Sequence, residues 1–490
     1  MAKDRNPVGQ QRRRRSDAAL NRTRLVEAAR LLLAERPEAT MAEIAAKAGV
    51  GRGTAYRHFA RREELLEAVR RQERDDAEAN EAEFVRPPGQ LAHRAPTPLS
   101  VTEVLNKVPP FQLGDQVVAE AQRLPGVTAA AVYVCDLDGT TLQRMAGGGG
   151  FPHRIPVPLA VGPEIPREGV AALRAVIADR LPGAAVAPMY LRGRAMGALV
   201  AIGAVDDALR DLAAEAGAAI TLADEHTDAI AAARRVRPTS PAAEIQQNLL
   251  PPRILRLAGA LVAGNVLPGY DIGGDWFDYA DNRDCAWIGI ADTEGEGAKA
   301  AGLGAILLGA FRAARHEGDD PAAVVAAMHA LLREVSNRRA TAHVTIACWY
   351  GATATVRWVT CGEHAPILID ATGALEVLGD AAPPLGARRF PADPPVHERR
   401  LEDGDRLMLL SDAVLDRPTL DGGTLGLDGV AEAVVKAPVA SAAGTLRAVE
   451  DAVREAVEDP LSDDATVVVL VPNPAIATVA PETGTETSSG

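Results

Sequence analysis

Four short stretches of the chain set carboxylates beside glycines or small residues at the ends of apolar runs. They are Asp271-Ile272-Gly273-Gly274-Asp275-Trp276-Phe277-Asp278-Tyr279, Ile290-Ala291-Asp292-Thr293-Glu294-Gly295-Glu296-Gly297, Leu409-Leu410-Ser411-Asp412, and Ser462-Asp463-Asp464 leading into Ala465–Leu470. Apolar runs of this length read as strands, so the acids stand at strand ends. A fold that gathered them would make a site for hard cations, since oxygen donors suit Mg²⁺ or Mn²⁺ without thiolate or imidazole. Two such ions sharing a water can hydrolyse a phosphate ester, and glycines beside the acids let backbone approach a ligand closely. Taken singly, each stretch is equally an ordinary turn, because Asp and Gly are common turn formers. The joint order of the four points to a site.

That order, with its flanking residues, resembles the SpoIIE-type branch of the bacterial PP2C-like (PPM) serine/threonine phosphatases over residues 242–472. Ala242–Leu250 followed by Pro251 resembles the opening helix of that family, and Gly273–Asp278 its GGDW(Y/F)D motif. Gly362–Pro366 resembles AGHxP with Glu363 in place of Gly, and Leu401–Leu410 the strand that precedes TDG. The resemblance implies that Asp275, Asp292, Asp412 and Asp463 hold two Mn²⁺ or Mg²⁺ ions and are the catalytic set, with the backbone carbonyl of Thr293 as a further ligand. It places Asp278 and Asp464 where they would hold metal-bound waters or orient ligands, and His364 in a structural position. Departures occur at Ala291, at Glu296, which stands where the family has His, and at Ala413, where it has Gly. Added carboxylates help to hold cations but repel a phosphate dianion, and the lost His removes a donor or acid. Two readings follow: a metal-dependent serine/threonine phosphoprotein phosphatase, or a degenerate domain, with Glu296 among its departures, that binds or senses.

At 490 residues the chain is long enough for about three domains. The apolar fraction of 47% is ordinary for a soluble protein, and aromatics are only 3%. Net charge is −14, yet the first 74 residues are basic, with Arg12–Arg15 as the densest run. A basic head on an acidic body suggests one module facing nucleic acid and no general affinity for polyanions; the Arg run is equally a solvated tail. Cys135, Cys285, Cys348 and Cys361 show no C-x-x-C spacing and suit thiols in a reducing compartment. No apolar segment follows the N-terminal charges, and no run reaches the length of a membrane span. The expectation is a cytoplasmic protein with no membrane partner.

In the basic head, Leu25, Ala28, Ala29, Leu32 and Leu33 keep helical spacing. Thr40 and Glu43 are placed as a capping box for a second helix, Gly49-Val50-Gly51 is a tight turn, and Arg52–Phe59 is a third short helix. This is a helix-turn-helix pattern. Residues 21–70 resemble the DNA-binding domain of the TetR family, carried by Ala45-Ala46-Lys47-Ala48-Gly49-Val50 through Thr54-Ala55-Tyr56-Arg57-His58-Phe59. The resemblance implies that Thr54, Tyr56 and His58 touch the DNA backbone and that Arg52 and Ala55 lie near base edges. Arg52, Arg57, Arg61 and Arg62 are the cations able to neutralise phosphates.

Beyond a Pro-rich linker, residues 101–222 alternate helix, strand, turn, hairpin and helix in a way that resembles a GAF domain. The expected organisation is multidomain: a basic tail at 1–19, an all-α helix-turn-helix head at 20–77, a linker at 78–100, and an α+β GAF-like sensor or dimerisation domain at 101–222. A helical connector at 223–241, an α/β PP2C-like β-sandwich flanked by helices at 242–472, and a disordered tail at 473–490 complete it. Its expected partners are a phosphorylated regulatory protein such as an anti-sigma-factor antagonist, double-stranded DNA, an unidentified small effector, and a second copy in a homodimer, since such a head reads two half-sites. Replacing Arg52 and Arg57 together by Ala is expected to lower duplex affinity by about ten-fold or more at 100 mM salt and to reduce the slope of log K against log salt by up to about 2. Titration of labelled duplex at several salt concentrations measures it, and unchanged binding would mean that this helix does not face the phosphates.

Overall fold

The computed structural model describes Leu25, Val26, Ala28, Ala29 and Leu32, residues 39–69 except 60 and 63, and residues 105–476 except 149, 204–206, 269, 271, 272, 296, 319, 337, 364, 438 and 439. The basic tail, the linker, most of the final tail, and the side chains of Glu296 and Arg57 lie outside the described residues. The chain divides into two compact units, Met1–Arg94 and Ala95–Gly490.

In the first unit, helices α1 (Met41–Lys47) and α2 (Arg52–His58) flank a turn in which Gly49 adopts φ +66°. The expected capping box is present: Thr40 Oγ1 accepts from the Glu43 backbone N–H at 3.4 Å, and the Thr40 N–H donates to Glu43 Oε2 at 2.7 Å. Gly51 caps α2 without a side-chain bond. Leu25, Ala29, Ile44, Ala45, Ala55, Phe59 and Leu65 form the core.

The second unit begins with a sheet of β1 (Val127–Cys135), β2 (Thr141–Gly147), β3 (Arg154–Pro156), β4 (Ile165–Pro166), β5 (Ala184–Leu191) and β6 (Arg194–Gly203), with the order β3-β2-β1-β6-β4 and β5 paired to β6. Helix α3 (Leu113–Arg123) lies before it in sequence, α4 (Gly169–Arg180) falls between β4 and β5, and α5 (Asp207–Asp224) follows β6. Val132 and Val134 pack with Val117, Leu212 and Ile220, whereas Ala131 and Tyr133 pack with Leu173 and Ile177. Alternate residues of β1 therefore serve opposite layers, as strand geometry requires. The expected helical connector at 223–241 is not one continuous helix. Thr227, at φ −154°, accepts from the Ala229 N–H and starts a separate α6 (Asp228–Arg234), whose Ile230 is buried in the same core.

Helix α7 (Pro241–Leu249), capped by Ser240, leads into a two-sheet sandwich. The strands are β7 (Ile254–Leu257), β8 (Ala260–Leu267), β9 (Trp276–Asp281), β10 (Ala286–Thr293), β11 (Ala342–Tyr350), β12 (Thr355–Cys361), β13 (Ile367–Ile369), β14 (Leu375–Val377), β15 (His397–Arg400), β16 (Arg406–Leu410) and β17 (Ala465–Pro472). One sheet has the order β15-β12-β11-β10-β9, the other β14-β13-β16-β17-β8-β7. Ile288 and Ile290 meet Val468 and Leu470 between the sheets. On the outer face of the first sheet, Trp276, Trp287 and Ile346 pack on α8 (Gly297–Ala314) and α9 (Pro321–Val335). On the outer face of the second, Val467 and Val469 pack on α11 (Gly426–Lys436) and α12 (Ala442–Ala456), and α10 (Asp412–Leu415) follows β16. The architecture is thus an all-α head and a mixed α/β body of several sheets flanked by helices, consistent with a PP2C-like fold.

Thr40→Ala removes the acceptor for the Glu43 N–H and is expected to cost about 1 kcal/mol, or roughly five-fold faster amide exchange in α1. Exchange mass spectrometry on the full chain reads it; an unchanged rate would mean that the cap does not limit opening.

Candidate functional site

The sandwich brings the predicted acids to one edge by four routes. Asp275 immediately precedes β9, Asp292 lies near the end of β10, Asp412 starts α10 after β16, and Asp463 and Asp464 precede β17. Ser411 stitches the last two segments: its Oγ donates to the Asp464 carbonyl at 3.0 Å and accepts from the Thr466 N–H at 2.8 Å. Gly273, at φ +125°, lets the Asp275 segment pass close to α7, where a Cβ would stand 2.9 Å from the Ala242 carbonyl carbon.

Asp275 is buried, with 3% of its surface exposed. Its Oδ2 accepts from Thr466 Oγ1 at 2.5 Å, and it shares a hydrogen bond with Asp292. Burial first, then the charges of Asp292 and Asp464, raise its carboxyl well above the usual range. Asp292 is pushed up to about 6 by burial and by Asp412, against the hydrogen bond from Asp275. Asp464 is pushed up to about 7, chiefly by burial, while the Asp275 N–H and Gln246 oppose the shift. Gln246 of α7 donates Nε2 to Asp464 Oδ2 at 2.7 Å and to the Asp275 carbonyl at 2.9 Å. Asp463 accepts the Asp464 N–H at 2.8 Å and is exposed. Thr293 is buried and its Oγ1 donates to the Gly274 carbonyl at 2.6 Å.

The expected role of Asp278 at the metal waters is not what its contacts serve. Its buried carboxylate is held by Arg312 Nε of α8 at 2.9 Å and by Arg315 Nη1, just past the end of α8, at 2.8 Å, because alternation along β9 puts Asp278 on the same outer face as Trp276. Arg312 also donates to the Leu249 carbonyl at 2.8 Å, locking the end of α7 to α8. In the head, Arg52 and Tyr56 are exposed, with the guanidinium 6.0 Å from the ring centroid, and Thr54 and His58 are half-buried. Ala55, expected near base edges, is instead fully buried in the core of the head, since it lies on the inner face of α2.

Sequence reasoning did not single out Gln246, Ser411, Thr466 or His343. His343 is the cross-strand partner of Asp292 and its charge lowers the Asp292 pKa. Only the strand register exposes it, because 51 residues separate the two in the chain.

The oxygen donors suit a hard cation in kind, and Asp464 Oδ1 is buried with no hydrogen-bond partner. Their spacing does not close around one: among the described residues no group of three or more His, Cys, Asp or Glu is arranged to hold a metal ion. The acids are near enough to repel one another, and in one pair to share a proton, without forming an ion cage.

A sequence model of the family described as "Stage II sporulation protein E (SpoIIE)" matches residues 282–472, and one for "Bacterial regulatory proteins, tetR family" matches residues 25–69. The chain joins a TetR-like helix-turn-helix region to a SpoIIE/PP2C-like phosphatase domain. The first match includes Asp292, Asp412 and Asp463 and begins after Asp275. The TetR-like region is 46% identical over 59 residues to the HTH-type transcriptional repressor LfrR of Mycolicibacterium smegmatis; this covers 12% of the chain and 31% of the repressor. The chain therefore spans about a third of the length of that curated relative. Similar solved structures are the RsbU and RsbW domains of Rv1364c from Mycobacterium tuberculosis (21% identity, TM-score 0.39, 46% of this chain and 63% of that one) and the SiaA-PP2C domain of Pseudomonas aeruginosa (19%, 0.40, 47% and 94%). No described helix is long and apolar enough to cross a membrane.

Because folded Asp292 keeps its proton up to about pH 6 against an ordinary 3.8, the folded state binds more protons than the unfolded one in that window. Its contribution to stability is present below pH 3.8 and is lost as pH rises through about 6. Asp292→Asn is expected to match the wild type near pH 4 and to exceed it by on the order of 1–3 kcal/mol at pH 7.5 in metal-free urea denaturation. A variant equally or less stable at pH 7.5 would mean that Asp292 is not held under charge stress.

Proposed function

We propose that the protein is a DNA-binding transcriptional regulator in which the SpoIIE/PP2C-like domain is catalytically degenerate and serves as a binding or sensory module. The observation that carries this reading is the internal partnering of the acid cluster. Asp275 is engaged by Thr466 and Asp292, and Asp464 by Gln246 and the Asp275 N–H. Oδ2 of each of these two acids is committed to protein donors, and the described acids do not close on an ion. Ala291, Glu296 and Ala413 depart from the family pattern within a few positions of Asp292 and Asp412 in the sequence. The head supplies the DNA contacts through Arg52, Thr54, Tyr56, Arg57 and His58, and two copies of the chain would cover two half-sites. The body from 101 to 222 would act as sensor or dimerisation part, and the effector would be a small molecule or a phosphorylated regulatory protein.

A second reading is favoured by one observation: Asp275, Asp412, Asp463 and Asp464 each lie within electrostatic reach of Asp292. On this reading Asp275, Asp292, Asp412 and Asp463, with the Thr293 carbonyl, would hold two Mn²⁺ or Mg²⁺ ions, Asp464 would orient ligands, and the domain would dephosphorylate a serine/threonine phosphoprotein such as an anti-sigma-factor antagonist.

The two are separated by hydrolysis of p-nitrophenyl phosphate at millimolar Mn²⁺. The degenerate reading expects equal background rates for the wild type and Asp292→Asn. A Mn²⁺-dependent rate that falls about 100-fold or more in the variant would replace it by the phosphatase reading.

A further inference from the structure

The polar network beside the acid cluster extends into the first sheet of the body. A loop at residues 160–164, between β3 and β4, is buried against β7 and β8. Val161 is fully buried and belongs to the core that Ile254, Ala263, Leu446 and Val449 form outside the sandwich, not to the core of its own sheet. Gly162 follows at φ +48°, and a Cβ there would stand 2.9 Å from Asn265 Oδ1 and 3.3 Å from Arg253 Nε. Only glycine permits both the conformation and the approach. Glu164, 5% exposed, accepts the Ile254 N–H at 2.9 Å and pairs with Arg194 at 2.8 Å.

From there one charge interaction, a set of hydrogen bonds and one backbone step along α7 lead to the acids. Arg253, also 5% exposed, feels the Glu164 charge and directs its guanidinium three ways: Nε to Asn265 Oδ1 at 3.2 Å, Nη1 to the Pro251 carbonyl at 2.8 Å, and Nη2 to Gln247 Oε1 at 2.6 Å. Gln247 is the neighbour on α7 of Gln246, whose amide holds Asp464 and the Asp275 carbonyl. Asn265 extends the network to buried Glu450 at 2.5 Å.

We propose that the loop 160–164 is a plug by which the first sheet sets the acid cluster, with Arg253 and Gln247 as positioning residues and Gln246 as the final contact. The fork geometry of arginine suits this role, because one planar group fixes three acceptors at once. The proposal deepens the sensory reading and rests on it: a change in the first sheet would be received at Asp275 and Asp464.

The test is amide exchange of the full chain, without metal, DNA or substrate. Glu164→Gln keeps an acceptor for Ile254 and removes the charge that faces Arg194 and Arg253. It is expected to raise exchange at least about five-fold at 242–250 and 462–467 while leaving α9 unchanged. In a Gln247→Ala background the same change is expected to add less than about two-fold at 462–467, because the relay is already cut. Effects confined to 160–166 and 253–256, equal effects in both backgrounds, or a uniform rise that includes α9 would each overturn the plug. If Glu164→Gln fails to fold, Arg253→Lys carries the same comparison, since it keeps the charge but cannot serve three acceptors. A Mn²⁺-dependent phosphatase activity would replace the sensory reading and leave this result standing, whereas independent segments would remove the plug and leave DNA binding untouched.

Discussion

Like charges gathered out of water are costly, and the body is built around one such gathering. Asp275, Asp292 and Asp464 are all pushed toward their protonated forms by burial before any neighbour is considered. Such a group can be relieved by a proton, a cation or a hydrogen-bond donor. Here the donors are Thr466, Gln246 and the Asp275 N–H. Each comes from a different segment, so relieving the acids also ties α7, β17 and the approach to β9 together.

The same logic continues outward. Glu164 and Glu450 are buried carboxylates raised by desolvation, and each is met by arginines: Arg194 and Arg253 for the first, Arg454 and Arg447 for the second. Arg447 and Arg454 also donate to carbonyls of Gly139, Ala160 and Asp138 in the loops of the first sheet. Buried charges left without partners would be strongly destabilising. The first sheet and the sandwich therefore share their charged groups within one compact unit and do not meet across a dry, separable face. Arg417 shows the same economy in a neutral setting, where it satisfies the carbonyls of Val453, Val457, Asp459 and Pro460 ahead of the Asp463–Asp464 turn.

Much of the fold was legible because its central strands are long, nearly continuous apolar runs. β10, β11, β12 and β17 are mostly apolar runs of 8, 9, 7 and 8 residues, and α8, α9 and α12 run for 18, 15 and 15. The elements not foreseen have local reasons. α4 carries its apolar stripe on Val170, Leu173 and Ile177 among alanines that blur the period, and α11 contains Gly426 and Gly429, which read as loop. β14 and β15 are short edge strands of exposed or half-buried residues. Residues 222–235 have helical composition throughout, and only the φ of Thr227 and its cap bond divide them.

Residue types and spacing alone determined that acids would stand at strand ends, that Thr40 would cap a helix, and that the head would be basic. These are local matters of period, propensity and charge. Tertiary structure decided where the side chains look. It turned Asp278 toward Arg312 and Arg315, put Ala55 in a core, set His343 beside Asp292, and placed Val161 in the core of another layer. Each of those outcomes depends on strand register or on the facing element, and contacts between residues tens or hundreds of positions apart leave no periodic trace in the chain.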